Sequence, residues 1–164
     1  MVVDCMEETE YELIIQKNNL TDEEKQNIIE KYKTTTNTKV GFFVMGGVFS
    51  EGIDFIGDSL SGVIIVGVGL PMVCDENNIL KDYFEEVYHQ GFEYAYIYPG
   101  FTKVIQAVGR VIRSDTDRGI AILIDERFTY SKYLSLMPPH WSNKKCITNI
   151  YDLKKEIQEF YKEK

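Results

Sequence analysis

The sequence has little cysteine. Its three residues, Cys5, Cys74 and Cys146, are far apart, odd in number and show no C-x-x-C spacing. That argues against a disulfide framework or a metal or iron–sulfur site built from this chain, and reduced thiols in a cytosol are the simpler reading. Histidine is scarcer still: His89 and His140 have no neighbouring cysteine or carboxylate pattern for a metal and read as surface or packing residues. Long hydrophobic runs are absent. The longest charge-free stretch, Ser59 to Cys74, is broken by glycine and proline and is too short for a bilayer span, so no membrane partner is expected. No basic segment precedes an apolar one at the start, which excludes a secretory signal and points to a cytoplasmic protein. Positive charge is also in deficit, with Lys+Arg 18 against Asp+Glu 26 and a net charge of −8. A nucleic-acid binder usually shows a basic face, so any such contact here must be local or shared with another domain. The acid is concentrated in the first 33 residues and around Asp75 to Glu93, whereas Lys103 to Arg118 is locally basic. Finally, no Gly-x-x-x-x-Gly-Lys-Ser/Thr phosphate loop occurs.

What is present suits one soluble globular domain spanning residues 1–164, with 44% hydrophobic and 27% charged residues. Tyr11 to Gln16 reads as a strand. Thr21-Asp-Glu-Glu24 is a capping box opening a helix to about Tyr32, with Ile28 and Ile29 inward. Val40 to Met45, Val63 to Val66 and Ile120 to Ile124 are apolar runs expected of strands buried on both faces. Ile79 to about Gln90 is expected to be helical. A further helix near Pro99, a residue suited to a first turn, carries Val104, Ile105, Val108 and Ile112 at helical spacing. Asn149 to Lys164 reads as an amphipathic helix with Ile150, Leu153, Ile157 and Phe160 on one side. Strands alternating with helices predict an α/β fold, mainly a parallel sheet with helices on both faces. Ligands of such sheets gather at the carboxyl ends of the strands, where the loops after Gly46 and at Asp125 lie.

Three constellations can carry chemistry. In Gln106-Ala-Val-Gly-Arg110-Val-Ile-Arg113, residues 106, 110 and 113 share one face of a helix. The two guanidiniums suit phosphate oxygens, Gln106 can orient a ligand, and Gly109 permits close approach. The competing reading is a helix edge whose arginines pair with Asp115 and Asp117. The second is Gly46-Gly-Val-Phe-Ser50-Glu51-Gly52-Ile-Asp54-Phe55, where bare amides can face phosphate and Asp54 can accept from a sugar hydroxyl or an arginine. The competing reading is a tight strand-to-loop connection with Glu51 solvated. The third, Ile120-Ala-Ile-Leu-Ile-Asp125-Glu126, fits a Walker B strand, but without a phosphate loop Asp125 reads as structural, with Arg127 as its partner. Tyr94, Tyr96 and Tyr98 alternate beside Phe92 and Phe101; core and hairpin-like packing is favoured over stacking on bases. Trp141, after Pro138-Pro139, reads as a cap over the core.

Taken together, these residues resemble the C-terminal RecA-like domain of superfamily 2 helicases of the DinG and XPD kind. Ser50-Glu-Gly-Ile-Asp54-Phe55 is similar to that family's motif V, and Gln106 to Arg113 to its motif VI. The order continues through Leu70-Pro71 and Asp117-Arg-Gly119 to Asp125-x-Arg127-Phe128. The resemblance covers about Tyr11 to Trp141 and implies a RecA-like three-layer sandwich. It also implies the second motor domain of an ATP-dependent DNA helicase of the DNA-repair type, working with an N-terminal RecA-like domain. In that family the N-terminal domain holds the phosphate loop, most of the ATP and Mg²⁺ contacts and any four-cysteine iron–sulfur cluster. By similarity, Arg110 and Arg113 are fingers on the γ-phosphate, Gln106 orients the site, Gly109, Gly52 and Asp54 border the nucleotide, and Ser50 and Glu51 couple its state to single-stranded DNA. The family moves 5′ to 3′. It also begins this domain with a strand and helix upstream of Tyr11, so the chain is expected to be a piece of a longer helicase, inactive by itself. The alternative is a stand-alone, non-catalytic RecA-like module that binds nucleic acid or a protein partner.

Overall fold

In the computed structural model of the protein, residues 11–33, 37–47, 49, 60–112 and 117–162 are described. The chain opens with strand β1 (Glu12–Ile15) and helix α1 (Asp22–Lys33). The capping box forms as expected: the Thr21 N–H donates to Glu24 Oε2 at 2.7 Å, and the Glu24 N–H donates to Thr21 Oγ1 at 3.2 Å. Strand β2 (Lys39–Phe42) lies parallel to β1, with Leu13 opposite Val40. It ends earlier than its apolar run because Val44 to Gly47 closes a turn, the Gly47 N–H donating to the Val44 carbonyl at 3.0 Å. Ile14, Tyr32 and Phe49 form a small core here, with Ile28 and Ile29 of α1 packed against it.

Strands β3 (Gly62–Val66) and β4 (Ile120–Ile124) form a second parallel pair, in register from Gly62 opposite Ile120 to Val66 opposite Ile124. Between them run helix α2 (Asp75–Tyr88), a π-helical segment (Glu93–Ile97) and helix α3 (Tyr98–Val108). The larger core joins Ile65 and Val68 to Phe101, Val104 and Val108 of α3, and to Ile97, Phe128 and Tyr133. Trp141 packs on its edge, as expected of a cap. Phe128 lies on a 3₁₀ turn (Glu126–Thr129) and Tyr133 on the one-turn helix α4 (Ser131–Leu134). Helix α5 (Ile150–Lys162) closes the described chain. Its last turn is tied to the starts of β3 and β4: the Tyr161 hydroxyl donates to the Ser61 carbonyl at 3.1 Å, and Arg118 donates to the Phe160 carbonyl at 2.6 Å.

Three expectations need correction. The strands are not buried on both faces. Period-2 alternation turns Val63 and Ile65 toward α3 but leaves Ile64 and Val66 63% and 72% exposed, because no described element covers that side. Helix α2 begins four residues earlier than expected, since Asp75 and Glu76 favour a first turn. It ends on His89, whose left-handed φ of 55° makes it the helix cap. The alternating tyrosines belong to no hairpin. The backbone is helical from Gly91 onward. The π segment immediately precedes Pro99, which has no N–H and whose ring would crowd a carbonyl one turn back; a wider turn accommodates both. Tyr96 is buried and donates to Asn78 Oδ1 at 3.1 Å. Tyr94 stacks on Phe84 with centroids 4.6 Å apart. The packing reading of these rings holds, in a helical frame.

Candidate functional site: the outer face of helix α3

Helix α3 has two faces with different tasks. Phe101, Val104 and Val108 are buried and hold the helix on β3. Their spacing is that of an inward stripe, so the residues between them face outward. Lys103, Gln106 and Arg110 follow at i, i+3 and i+7, neighbours on the outer side. Gln106 is exposed, and Arg110 and Lys103 are half-buried.

The α-helical hydrogen bonds give way where the motif turns polar. The Gly109 N–H donates to the Ile105 carbonyl at 2.9 Å, but the Arg110 N–H donates to Ala107 at 3.2 Å and the Val111 N–H to Val108 at 3.0 Å, three residues back. Arg110 therefore sits on a tighter turn just past the helix, not within it. A turn of about three residues in place of 3.6 rotates it slightly from the line of Gln106 while keeping it on the same side. Gly109 is exposed with φ −63° and ψ −8°. Among the described residues beyond its chain neighbours, a Cβ there would meet the Ile105 and Gln106 carbonyl oxygens, at 3.3 and 3.5 Å.

Two glycine contacts bring the second motif's entry to this helix. Gly69, in the loop after β3, and Gly100 of α3 touch backbone to backbone: a Cβ on Gly100 would fall 2.9 Å from the Val68 carbonyl oxygen and 3.0 Å from that of Gly69. Gly69 also abuts Met45, whose sulfur would be 2.8 Å from an added Cβ. One residue on, Gly46 has φ +81°, the conformation required at the third position of the turn from Val44 to Gly47. A Cβ on Gly46 would meet Lys103 Nζ, Cε and Cδ at 3.0, 3.1 and 3.2 Å. Gly46, where the second motif begins, therefore lies against the end of the Lys103 side chain of α3.

Of the residues expected to form the site, Gln106, Gly109 and Arg110 are brought onto this face. Ser50, Glu51, Gly52, Asp54 and Arg113 lie outside the described residues, as does Asp115, one of the alternative partners for the arginines. Sequence reasoning missed Lys103 as an individual, although its spacing from Gln106 places it on the same face. It also missed Gln16, whose Oε1 accepts from the Val44 N–H at 3.1 Å and braces the other side of the turn; nothing in its sequence context singles it out.

Asp125, the Walker B look-alike, is spent on Arg127. Its Oδ1 accepts from the Arg127 N–H at 2.9 Å and from Nε at 2.8 Å, and its Oδ2 from a terminal guanidinium nitrogen at 2.7 Å. The fork holds the carboxyl below the usual carboxylate range. Among the described residues no group of three histidine, cysteine or acidic side chains could hold a metal ion. No described helix is long and apolar enough to cross a membrane.

The sequence model of the helicase C-terminal domain matches residues 1–144. The chain belongs to that family. This helicase C-terminal domain is 35% identical over 133 residues to a "Regulator of telomere elongation helicase 1 homolog" of Caenorhabditis briggsae, covering 74% of this chain and 13% of that protein. It is 30% identical over 136 residues to the "ATP-dependent DNA helicase DinG" of Photobacterium profundum, covering 79% of this chain and 19% of that one. A solved XPD helicase superposes with a TM-score of 0.59 at 23% identity, over 75% of this chain and 22% of that one. That likeness places the domain's α/β fold with the RecA-like one. The chain spans less than a fifth of the length of these curated relatives.

Proposed function

We propose that residues 1–164 are the second motor domain of an ATP-dependent DNA helicase. The observation that carries this reading is the outer face of α3, where Gln106 and Arg110 stand opposite the core stripe and Lys103 of the same face touches Gly46, the head of the second motif. A permanently charged fork suits an anion arriving from another body. In this proposal an N-terminal RecA-like domain holds ATP and Mg²⁺, and closure brings the triphosphate to Arg110 and Arg113. Their charge offsets that developing on the γ-phosphoryl oxygens, a role worth about 10³ to 10⁵ in turnover. Gln106 orients the site, and Gly52 and Asp54 border the nucleotide. Ser50 and Glu51 pass its state to single-stranded DNA, and hydrolysis steps the pair 5′ to 3′. The domain alone, without a phosphate loop, does not turn over ATP.

Rejoining the domain to its N-terminal half tests this. DNA-stimulated ATP turnover should fall at least 100-fold in Arg110→Ala and in Arg113→Ala, within the range for a lost arginine finger. Rates equal to wild type would sink the assignment.

A further inference from the structure

We propose that Lys103 is a positioning residue, whose side chain holds the turn at the head of the Gly46–Asp54 loop against α3 and so ties that loop to the finger-bearing end of the helix. The inference rests on the reading of Gln106 and Arg110 given above and assigns how the two motifs move together.

The turn is gripped from two sides. On one side Gln16 accepts from the Val44 N–H at 3.1 Å. A Cβ on Gly47 would come within 3.2 Å of its Nε2, so the amide packs on the turn's last residue. On the other side Lys103 lies over Gly46. The three outermost side-chain atoms stand at nearly equal distances from the Cβ position, 3.0 to 3.2 Å. Such equality means the stem runs across the α-carbon of Gly46 rather than pointing at it. An added Cβ would make the lysine end give by a few tenths of an ångström, and the positive φ independently favours glycine.

The charge is not what seats the side chain. Among the described residues no carboxylate pairs with the Lys103 ammonium. A lysine stem lying on an apolar surface with its head at the margin is a packing element. Lys103 also sits seven residues before Arg110, with the buried Val104 and Val108 beside it, so a shift of the turn presses on the helix segment that carries Gln106 and Arg110. The turn leads directly into the loop expected to sense DNA. Lys103 is therefore the contact through which the Val44–Gly47 turn and the helix that leads to Arg110 share one register.

The test uses the full-length helicase carrying this domain, with Lys103→Ala, Lys103→Met, Gly46→Ala and the Gly46→Ala/Lys103→Ala pair. Lys103→Ala should reduce DNA-stimulated turnover by about 3- to 30-fold, the span of a typical coupling contact, beyond whatever its lower melting temperature accounts for. Lys103→Met, which keeps a stem without the charge, should retain most of the stimulation. Gly46→Ala should cost less in the Lys103→Ala background, since its added methyl then no longer meets the lysine stem. Unchanged stimulation in Lys103→Ala overturns the proposal. So does a Met variant as weak as Ala, or weaker nucleotide-free binding to single-stranded DNA with a shallower salt dependence; either would make the ammonium a phosphate contact. A lower melting temperature in proportion to the lost rate also overturns it. Arg110→Ala run in parallel separates the two readings: if it is silent the motor reading fails, and if it abolishes turnover while Lys103→Ala is silent only this proposal fails.

Discussion

Replacing Gly109 with alanine should damage function while sparing the fold. The backbone there has φ −63° and ψ −8°, open to any residue. Among the described residues beyond its chain neighbours, the added Cβ would meet the carbonyl oxygens of its own preceding turn, at 3.3 and 3.5 Å. Alanine at a compatible glycine position stabilises by about 0.4–1 kcal/mol through the unfolded chain. The closer oxygen offsets part of that, so the net change should stay within about 1 kcal/mol of zero. The methyl nevertheless adds bulk to the exposed surface beside Arg110. A partner domain delivering a triphosphate would be held off by about an ångström, a misplacement worth roughly 100-fold in rate. The assay pairs denaturant unfolding with DNA-stimulated ATP turnover of the helicase that carries this domain. Turnover within about twofold of wild type, against that estimate, would refute the argument that Gly109 is kept for close approach. A stability loss beyond about 2 kcal/mol would make it a packing glycine instead.

Three further outcomes are expected. Gly100→Ala should behave in the opposite way, losing about 1–3 kcal/mol by overpacking, because its Cβ would meet Val68 and Gly69 backbone that cannot swing aside; denaturant midpoints measure this. The Asp125–Arg127 fork should make stability depend on acid. Arg127 lowers the Asp125 pKa in the folded chain, so the contribution is present above the unfolded carboxyl value and is lost as pH falls through the folded one; Asp125→Asn should destabilise at pH 7 and converge with wild type in strong acid. Tyr32 should act at the other end of the scale. Burial pushes its phenol up to about 12, so its contribution is intact below the ordinary tyrosine value of about 10 and is lost as pH rises toward the folded one; Tyr32→Phe should flatten the alkaline limb of unfolding measured from pH 9 upward.

Local chemistry made much of the domain legible in the sequence. Thr21 and Glu24 satisfy each other's backbone donors three residues apart, so the start of α1 needs no tertiary help. The apolar period of Phe101, Val104 and Val108 fixes which side of α3 is inward, and thereby which side Gln106 must occupy. The Asp125–Arg127 pair spans two residues and was equally readable. The order of the two motifs identified the family because each is a run of adjacent residues.

Tertiary structure decided what depends on residues far apart. An apolar strand gives no sign of whether a second layer will cover it, so the exposure of Ile64 and Val66 emerged only with the fold. Alternating tyrosines fit a strand by period, but packing on α2 and the demands of Pro99 drew them into a π-helical turn. The close passage of Gly69 over Gly100, and of Lys103 over Gly46, joins positions 31 and 57 residues apart. No local pattern encodes such contacts. They arise from the docking of one element on another, and they bring the entry of one motif against the helix that carries the other.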